Sequence, residues 1–279
     1  MISGRTQLYG VVGHPVGHSL SPAMQNAAFA ALGIDAVYVP LPVAPERISE
    51  ALRGAHALGF HGLNVTVPHK QRAAELCHRL DGTASLCGAA NTLRRIPDGW
   101  EGLNTDAPAC RDLIAAAGLR RGARALLLGA GGAALAGAWA LLDAGAELTV
   151  AARRDGAAAE LCRRMRAGFP DGPSARPIAW EEAAPLTEFA DVVVNATPIG
   201  LGGKDDGLPP VRFRRGQIAV DFVYGDTGFT RKALADGATI VTGEQILVRQ
   251  GALAFTLWTG QPAPEAAMAA ALRAAPHTP

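Results

Sequence analysis

The sequence predicts a protein of two α/β domains, and three observations support this. At 279 residues the chain is longer than most single domains. Short β-rich runs alternate with helical patterns, which is typical of βαβ units and a mostly parallel sheet. A glycine-rich turn at residues 129–134 stands directly between an apolar strand and a helix.

The first hundred residues alternate between strand and helix patterns. Ser21 before Pro22 is typical of an N-cap followed by the first helical position. The predicted elements are a strand over 8–12, a helix over 22–32 with Ser21 as its N-cap, a strand over 36–41, a helix over 45–57, a strand over 62–67 and a helix over 70–80.

The rest of the chain continues the alternation. Its predicted helices lie over 107–118, 133–144, around 161–166, over 245–257 and over 265–275. Its predicted strands lie over 123–128, 148–152, 192–195, 218–222 and 239–241, and residues 171–177 are predicted to form a turn-rich loop.

Composition excludes several classes of protein. The formal net charge of +1 argues against nucleic-acid binding. The four cysteines lack metal-ligand spacing and the histidines form no convergent set, so we expect no metal. The N-terminus carries no signal-peptide pattern, and the apolar runs are too short for a membrane span. We therefore expect a cytoplasmic protein without membrane partners.

The glycine-rich turn predicts a dinucleotide site. Gly129 suits the tight turn, Gly131 lets the backbone approach a pyrophosphate, and Ala134 is small enough for close helix–strand packing. An acidic residue near position 152 would indicate NAD, but Ala152, Arg153 and Arg154 stand there. Two guanidinium groups suit a 2′-phosphate, so NADP is predicted, while Asp155 leaves NAD open.

The first half supplies groups that handle protons. Lys70 follows a predicted buried strand at the edge where open α/β sheets place ligands. Asp106 closes a Gly-x-Asn-Thr-Asp turn that could face it, and the two charges would keep each other ionised. A hydride carrier together with such a pair predicts an alcohol–ketone oxidoreductase.

An ordered series of short motifs extends over nearly the entire chain. In that order and spacing the chain resembles the shikimate dehydrogenase family. The motifs are His18-Ser19-x-Ser21-Pro22, Asn64-Val65-Thr66-x-Pro68-x-Lys70, Gly88-Ala89-Ala90-Asn91-Thr92, Asn104-Thr105-Asp106, the glycine turn, Asn195-Ala196-Thr197-Pro198, Asp221-x-x-Tyr224 and Gln250-Gly251.

The resemblance implies a role for each matching residue. Ser19 and Ser21 would bind the shikimate carboxylate with Tyr224 beside it, and Lys70 and Asp106 would be the catalytic pair. Ring hydroxyls would be bound, or Lys70 positioned, by Asn64, Thr66, Asn91, Asp106 and Gln250. The cofactor would contact Gly129, Ala130, Gly131, Gly132, Ala133, Ala152, Arg153, Arg154, Thr197, Phe222 and Gly243.

The resemblance also implies the architecture. Residues 1–106 with 245–279 would form the α/β substrate-binding catalytic domain, and 107–244 a Rossmann-like, doubly wound NADP domain. The enzyme, a monomer or homodimer, would interconvert 3-dehydroshikimate and shikimate on the route to aromatic amino acids.

Departures from the family pattern keep alternatives open. The usual Asn-Arg-Thr is Ala152-Arg153-Arg154, and Ile246 stands where a methionine is expected near the nicotinamide. An NAD-linked quinate/shikimate dehydrogenase remains the alternative enzyme. A dinucleotide-binding regulatory protein is disfavoured because both Lys70 and Asp106 are present.

Overall fold

The protein divides into two compact units, each built on its own six-stranded sheet. The computed structural model describes residues 2–201 and 206–275. One unit comprises the residues up to Thr105 together with those from Leu247 onward, and the other is Asp106–Ile246.

The first 105 residues form six strands and four helices in the described range. In chain order these are β1 (Gln7–Gly13), α1 (Ser21–Ala31), β2 (Ala36–Pro42), α2 (Ile48–Ala57), β3 (Phe60–Val65), α3 (Lys70–Leu76), β4 (Arg79–Leu80), α4 (Gly82–Cys87), β5 (Thr92–Ile96) and β6 (Gly99–Leu103). A 3-10 turn, Pro45–Arg47, precedes α2.

The second unit repeats a strand–helix alternation. Its elements are α5 (Asp106–Ala116), β7 (Arg124–Leu128), α6 (Gly132–Asp143), β8 (Glu147–Ala151), α7 (Ala157–Gly168), β9 (Ala175–Ile178), α8 (Ala183–Leu186), β10 (Val192–Asn195), β11 (Ile218–Asp221), α9 (Gly228–Ala235) and β12 (Thr239–Val241). The chain then continues through α10 (Gly243–Thr259) and α11 (Glu265–Ala274).

The sheet of the first unit has the order β2-β1-β3-β5-β6-β4. Only β5 runs against its neighbours, so the sheet is mostly parallel, as predicted. Successive residues of β1 enter opposite cores because side chains alternate along a strand. Tyr9 and Val11 pack with α1, α10 and α11, whereas Val12 packs with α2 and α3.

The sheet of the second unit is parallel throughout, with the order β12-β11-β10-β7-β8-β9. Leu126, Leu128 and Val193 lie in a core with Phe229 of α9. The strand order reverses at β7, because β8 and β9 lie on one side of it and β10, β11 and β12 lie on the other. In open α/β sheets such a reversal is where ligands bind, at the carboxyl ends of the strands.

Several predicted elements were wrong in detail. Ser21 is the first helical residue, since Leu20 already has helical dihedral angles and its carbonyl accepts from the Met24 N–H. The helix predicted over 70–80 ends at Leu76, because Arg79–Leu80 pairs with β6. The loop predicted over 171–177 contains the first residues of β9, which pairs with β8.

Within the described ranges, none of the helices combines the length and the apolar character that a bilayer span requires. Over those residues, too, no group of three His, Cys, Asp or Glu side chains is arranged to hold a metal ion.

Candidate active site

Lys70 is the first residue of α3, a few residues beyond the carboxyl end of β3. The residue before it, His69, is buried, and its Nε2 lies 2.7 Å from the carbonyl oxygen of Val43. The carbonyl of Lys70 itself accepts from the Ala90 N–H at 2.9 Å. The backbone is thus fixed on both sides of a half-buried lysine side chain.

Thr66 lies between β3 and Lys70 and is half-buried. Its N–H donates to the carbonyl of Val12 at 2.9 Å, which extends the pairing of β1 and β3. A Cβ on Gly13 would lie only 2.5 Å from the Thr66 Cγ2. Glycine at the end of β1 therefore allows the threonine side chain to occupy this position.

Two buried asparagines, Asn64 and Asn91, form the centre of a hydrogen-bond network. The Tyr38 hydroxyl donates to Asn64 Oδ1 at 2.7 Å, and Asn64 Nδ2 donates to the Asn91 carbonyl at 3.1 Å. Asn91 Nδ2 donates to Thr105 Oγ1 at 2.9 Å, and its Oδ1 accepts from the Thr105 N–H at 2.7 Å. Both amides are therefore held in one orientation by protein groups.

Gln250 joins this network from α10. Its Oε1 accepts from Asn91 Nδ2 at 3.3 Å, and its Nε2 donates to the Leu247 carbonyl at 2.9 Å. Next to it, the Gly251 carbonyl accepts from Gln25 Nε2 at 3.0 Å. A Cβ on Gly251 would lie 2.3 Å from the Met24 side chain, so glycine lets α1 approach α10 closely here.

The two predicted carboxylate-binding serines lie at the start of α1. The Ser21 N–H donates to Ser19 Oγ at 3.3 Å. Burial raises the pKa of Tyr38, and a hydrogen bond with the Ser21 side chain acts in the opposite direction. Ser21 is buried, and its side chain makes no capping bond to the helix.

Asp106 and Tyr224 belong to the second unit. Asp106 begins α5, and Tyr224 follows β11 with about half of its side chain (49%) exposed. Desolvation raises the pKa of the Tyr224 hydroxyl, and the carboxylates of Asp106 and Glu244 raise it further. The structure therefore places Asp106 within electrostatic reach of this phenol.

The glycine-rich turn connects β7 to the N-terminus of α6. Gly129 has a φ of +113°, and a Cβ there would lie 2.8 Å from the Ala196 carbonyl oxygen. A Cβ on Gly131 or Gly132 would instead meet nothing within 4 Å. The close contact with Ala196 thus explains why residue 129 is glycine. Packing does not explain Gly131 and Gly132, which lie at the positive N-terminal end of the 12-residue helix α6.

Arg153 and Arg154 line a cleft of about 200 Å³ at the carboxyl ends of β8 and β9. Both arginines are exposed, and the start of α7 forms another wall of the cleft. Asp155, Trp180 and Glu181 line it as well. The cleft can thus offer two guanidinium groups to a phosphate and two carboxylates to a hydroxyl.

The other residues of the predicted cofactor site lie along the same sheet. Thr197 donates through its Oγ1 to Asn195 Oδ1 at 2.7 Å, just beyond β10. Phe222 packs against α6 where Gly137 leaves room for its ring. A Cβ on Gly243 would lie 2.6 Å from the Val223 carbonyl, so glycine permits this backbone contact.

Sequence reasoning assigned no role to several residues that organise the site. Tyr38 reads as a core aromatic on β2, and nothing in its spacing indicates a bond to Asn64. Gln25 is buried, with its Oε1 accepting no hydrogen bond among the described residues. For Thr105 a signal existed, because it lies inside the quoted Asn-Thr-Asp motif.

Comparison with known proteins gives consistent results. The family model described as shikimate dehydrogenase substrate binding domain matches residues 11–93, and that described as shikimate 5'-dehydrogenase C-terminal domain matches residues 243–273. A shikimate dehydrogenase (NADP(+)) of Anaeromyxobacter sp. (strain K) is 68% identical, with 98% of each chain covered.

Solved structures of similar fold have related activities. The shikimate 5-dehydrogenase of Thermus thermophilus, in complex with NADP(H) and shikimate, is 35% identical with a TM-score of 0.84, covering 96% of this chain and 99% of that one. The quinate dehydrogenase of Corynebacterium glutamicum, in complex with NAD, is 26% identical with a TM-score of 0.87, covering 97% and 99%.

Proposed function

The chain belongs to the shikimate dehydrogenase family, and from this premise we propose that it catalyses the reversible, NADP-dependent reduction of 3-dehydroshikimate to shikimate. The observation that carries the proposal is the polar network of Asn64, Asn91 and Gln250, which adjoins the segment bearing Lys70. The reaction belongs to the route to chorismate and the aromatic amino acids.

The substrate carboxylate would be bound by Ser19 and Ser21 with Tyr224 beside it. Hydroxyl donors suit this task because hydrogen bonds to a charged acceptor are stronger than neutral ones. Ser21 is buried at the start of α1, so its side chain loses little conformational entropy when the carboxylate binds.

The ring hydroxyls would be bound by Thr66, Gln250 and Asp106. Asn64 and Asn91 already donate their amide hydrogens within the protein. We therefore propose that Asn64 and Asn91 chiefly position neighbouring groups and do not chiefly bind ring hydroxyls. The Oδ1 of Asn64 accepts from Tyr38 and has a second lone pair for a ring hydroxyl, whereas the Oδ1 of Asn91 already accepts from Thr105 and Thr92.

In the reducing direction, protonated Lys70 gives a proton to the carbonyl oxygen as that oxygen gains negative charge. In the oxidising direction the neutral amine takes the proton back. Asp106 would orient the lysine and the adjacent hydroxyl. NADP, when bound, would supply or accept the hydride at carbon C3 of the substrate.

The chain's own residues fit NADP. The turn Gly129–Ala133 offers the α6 N-terminus to the pyrophosphate, and Gly131 and Gly132 leave space over it. Arg153 and Arg154 would hold the 2′-phosphate in their cleft, next to Ala152. Thr197, Phe222 and Gly243 would complete the cofactor site further along the sheet.

One alternative has support of its own. Asp155 and Glu181 line the same cleft, and a carboxylate there can bond the ribose 2′-hydroxyl of NAD. An NAD-linked quinate/shikimate dehydrogenase would use them in this way.

Initial rates with shikimate and quinate, each with NADP and NAD, distinguish the two. We expect the highest kcat/KM for shikimate with NADP and 3-dehydroshikimate as the product. A higher kcat/KM for quinate with NAD would establish the alternative.

The setting of the enzyme is also part of the proposal. We expect it to act in the cytoplasm, as a monomer or a homodimer. Light scattering of the purified chain measures its oligomeric state directly.

A further inference from the structure

The orientation of the Asn64 side-chain amide is determined by its neighbours in the first unit. Its Nδ2 donates to the Asn91 carbonyl and to Thr92 Oγ1, both at 3.1 Å. A carbonyl can only accept, so the NH₂ group of Asn64 has to face Asn91, and Oδ1 has to face elsewhere. At Oδ1 the Tyr38 hydroxyl donates at 2.7 Å. Tyr38 thus fixes the acceptor end of this amide.

The backbone of Tyr38 is itself fixed by Asn26. Tyr38 lies on β2, at the edge of its sheet, and an edge strand has unpaired backbone groups along its outer side. The side chain of Asn26, on α1, binds both backbone groups of this residue. Its Oδ1 accepts from the Tyr38 N–H at 2.9 Å, and its Nδ2 donates to the Tyr38 carbonyl at 2.8 Å. The asparagine therefore takes the place of a neighbouring strand at this one residue.

The ring of Tyr38 is held in the core of the first unit. The residue is 1% exposed, and its ring centroid lies 6.3 Å from that of Trp258 on α10. Burial raises the pKa of the Tyr38 hydroxyl, so the hydroxyl remains a donor at neutral pH. Because so little of the residue is exposed, we expect it to affect the substrate through Asn64 and not by direct contact.

We propose that Tyr38 is a positioning residue for substrate binding: its hydroxyl holds the Asn64 amide in an orientation that leaves one Oδ1 lone pair for a ring hydroxyl. The same orientation directs Nδ2 to the backbone of Asn91, whose side chain contacts Gln250. The inference rests on the proposed function, because that function assigns the ring hydroxyls to this network. Its physical basis is that a pre-oriented group loses less conformational entropy when a ligand binds.

Tyr38→Phe removes the hydroxyl and retains the ring in the core. Asn64 Oδ1 then loses its bond from residue 38, so we expect kcat/KM for shikimate to fall by about 3- to 10-fold, with KM for NADP unchanged. Tyr9→Phe is the matched control. Tyr9 is also 1% exposed in the same core, and its hydroxyl donates at 3.0 Å to Gln7, which has no part in the proposed site. The control should keep the wild-type kcat/KM.

The decisive readout is the same substitution in an Asn64→Ala background. If Tyr38 acts through Asn64, Tyr38→Phe causes no further loss of kcat/KM in a chain that already lacks the amide. A general effect on the core would instead lower kcat/KM by the same factor in both backgrounds, which would overturn the proposal. Wild-type kcat/KM in Tyr38→Phe would overturn it as well.

A second variant covers the case in which Tyr38→Phe does not fold. Asn26→Ala removes both bonds to the Tyr38 backbone, and it is expected to lower kcat/KM for shikimate with the same non-additivity toward Asn64→Ala. Wild-type kcat/KM in that variant would contradict the proposal. The proposed function is tested on the wild-type chain alone. If that chain failed to oxidise shikimate with NADP, the proposed function would fail first, so the two failures are distinguishable.

Discussion

Lys70 occupies a position that helix electrostatics disfavour. It is the first residue of α3, where the helix dipole repels a cation. This unfavourable interaction persists because the backbone is fixed here: the Lys70 carbonyl accepts from the Ala90 N–H, and His69 is buried. This placement supports our proposal that Lys70 transfers a proton in the reaction.

Lys70→Ala is expected to lower kcat for shikimate by at least about 10²-fold, the usual loss for a general acid–base group. The circular dichroism spectrum should be unchanged. Lys232→Ala is the control, since that lysine lies on α9 in an exposed ion pair with Asp236 at 2.6 Å. Retention of most of the wild-type kcat by Lys70→Ala would refute the assignment.

At the residue scale, local motifs predicted which polar side chains are candidates for the site but not the hydrogen-bond partners of those side chains. The sequence identified Ser21 as a cap, whereas in the structure it is the first helical residue and its side chain makes no capping bond. The Tyr38–Asn64 bond joins β2 to β3, which are not neighbours in the sheet, so it depends on tertiary packing.

At the scale of elements, Glu101 ties three short strands together. Arg79 on β4 and Arg94 on β5 contact its two oxygens at 2.8 Å and 2.5 Å. Burial alone would raise the pKa of Glu101, but the two guanidinium groups hold it below its usual value. Because folding lowers this pKa, the stabilisation exists above the pKa of an unfolded glutamate, about 4.3, and is lost as the pH falls through the folded-state value.

Glu101→Gln is therefore expected to lower the free energy of unfolding at pH 7 by about 1–3 kcal/mol. Urea titrations at several pH values should show the difference from wild type shrinking below about pH 4. Glu160→Gln, which affects an exposed pair with Arg163 at 2.6 Å, is expected to change nothing measurable. A Glu101→Gln effect that is independent of pH would contradict this account.

The arginines after β8 are expected to determine cofactor choice. Changing Arg153 and Arg154 to glutamine should erase the preference for NADP over NAD, mainly by raising KM for NADP, because the 2′-phosphate is remote from the reacting carbon. Arg120 and Arg121, another pair of adjacent arginines in the same unit, give the control variant. An unchanged NADP:NAD ratio of kcat/KM would mean that Arg153 and Arg154 are ordinary surface charges.

Element prediction succeeded for continuous apolar runs, short strands such as β10 included, and failed for strands that charged residues interrupt. The apolar run that became β7 and the Ala-rich α6 were recognised because burial leaves a continuous apolar pattern. β5 and β6 were missed, since Arg94 and Glu101 interrupt their apolar pattern and are accommodated by pairing with each other. An ion pair between two strands cannot be recognised from the sequence of either strand alone.

At the scale of the whole molecule, the compact units divide at Thr105 and Leu247. The sequence placed these divisions at 106 and 245 from the order of the motifs and from the C-terminal helices. The residues from Leu247 onward rejoin the first unit because Phe255 of α10 and Met268 of α11 lie in the core built around β1. Which ligand each unit binds remains our proposal.

The central claim is that the first unit binds the substrate and supplies the proton, while the second binds NADP. The steady-state KM of each ligand in a Ser19→Ala, Ser21→Ala double variant tests it most directly. Each hydrogen bond lost to the carboxylate is worth about 1.5–3 kcal/mol, so KM for shikimate should rise strongly while KM for NADP stays near the wild-type value. An equal rise in both KM values would mean that the serines support the architecture of the protein, and would contradict the account.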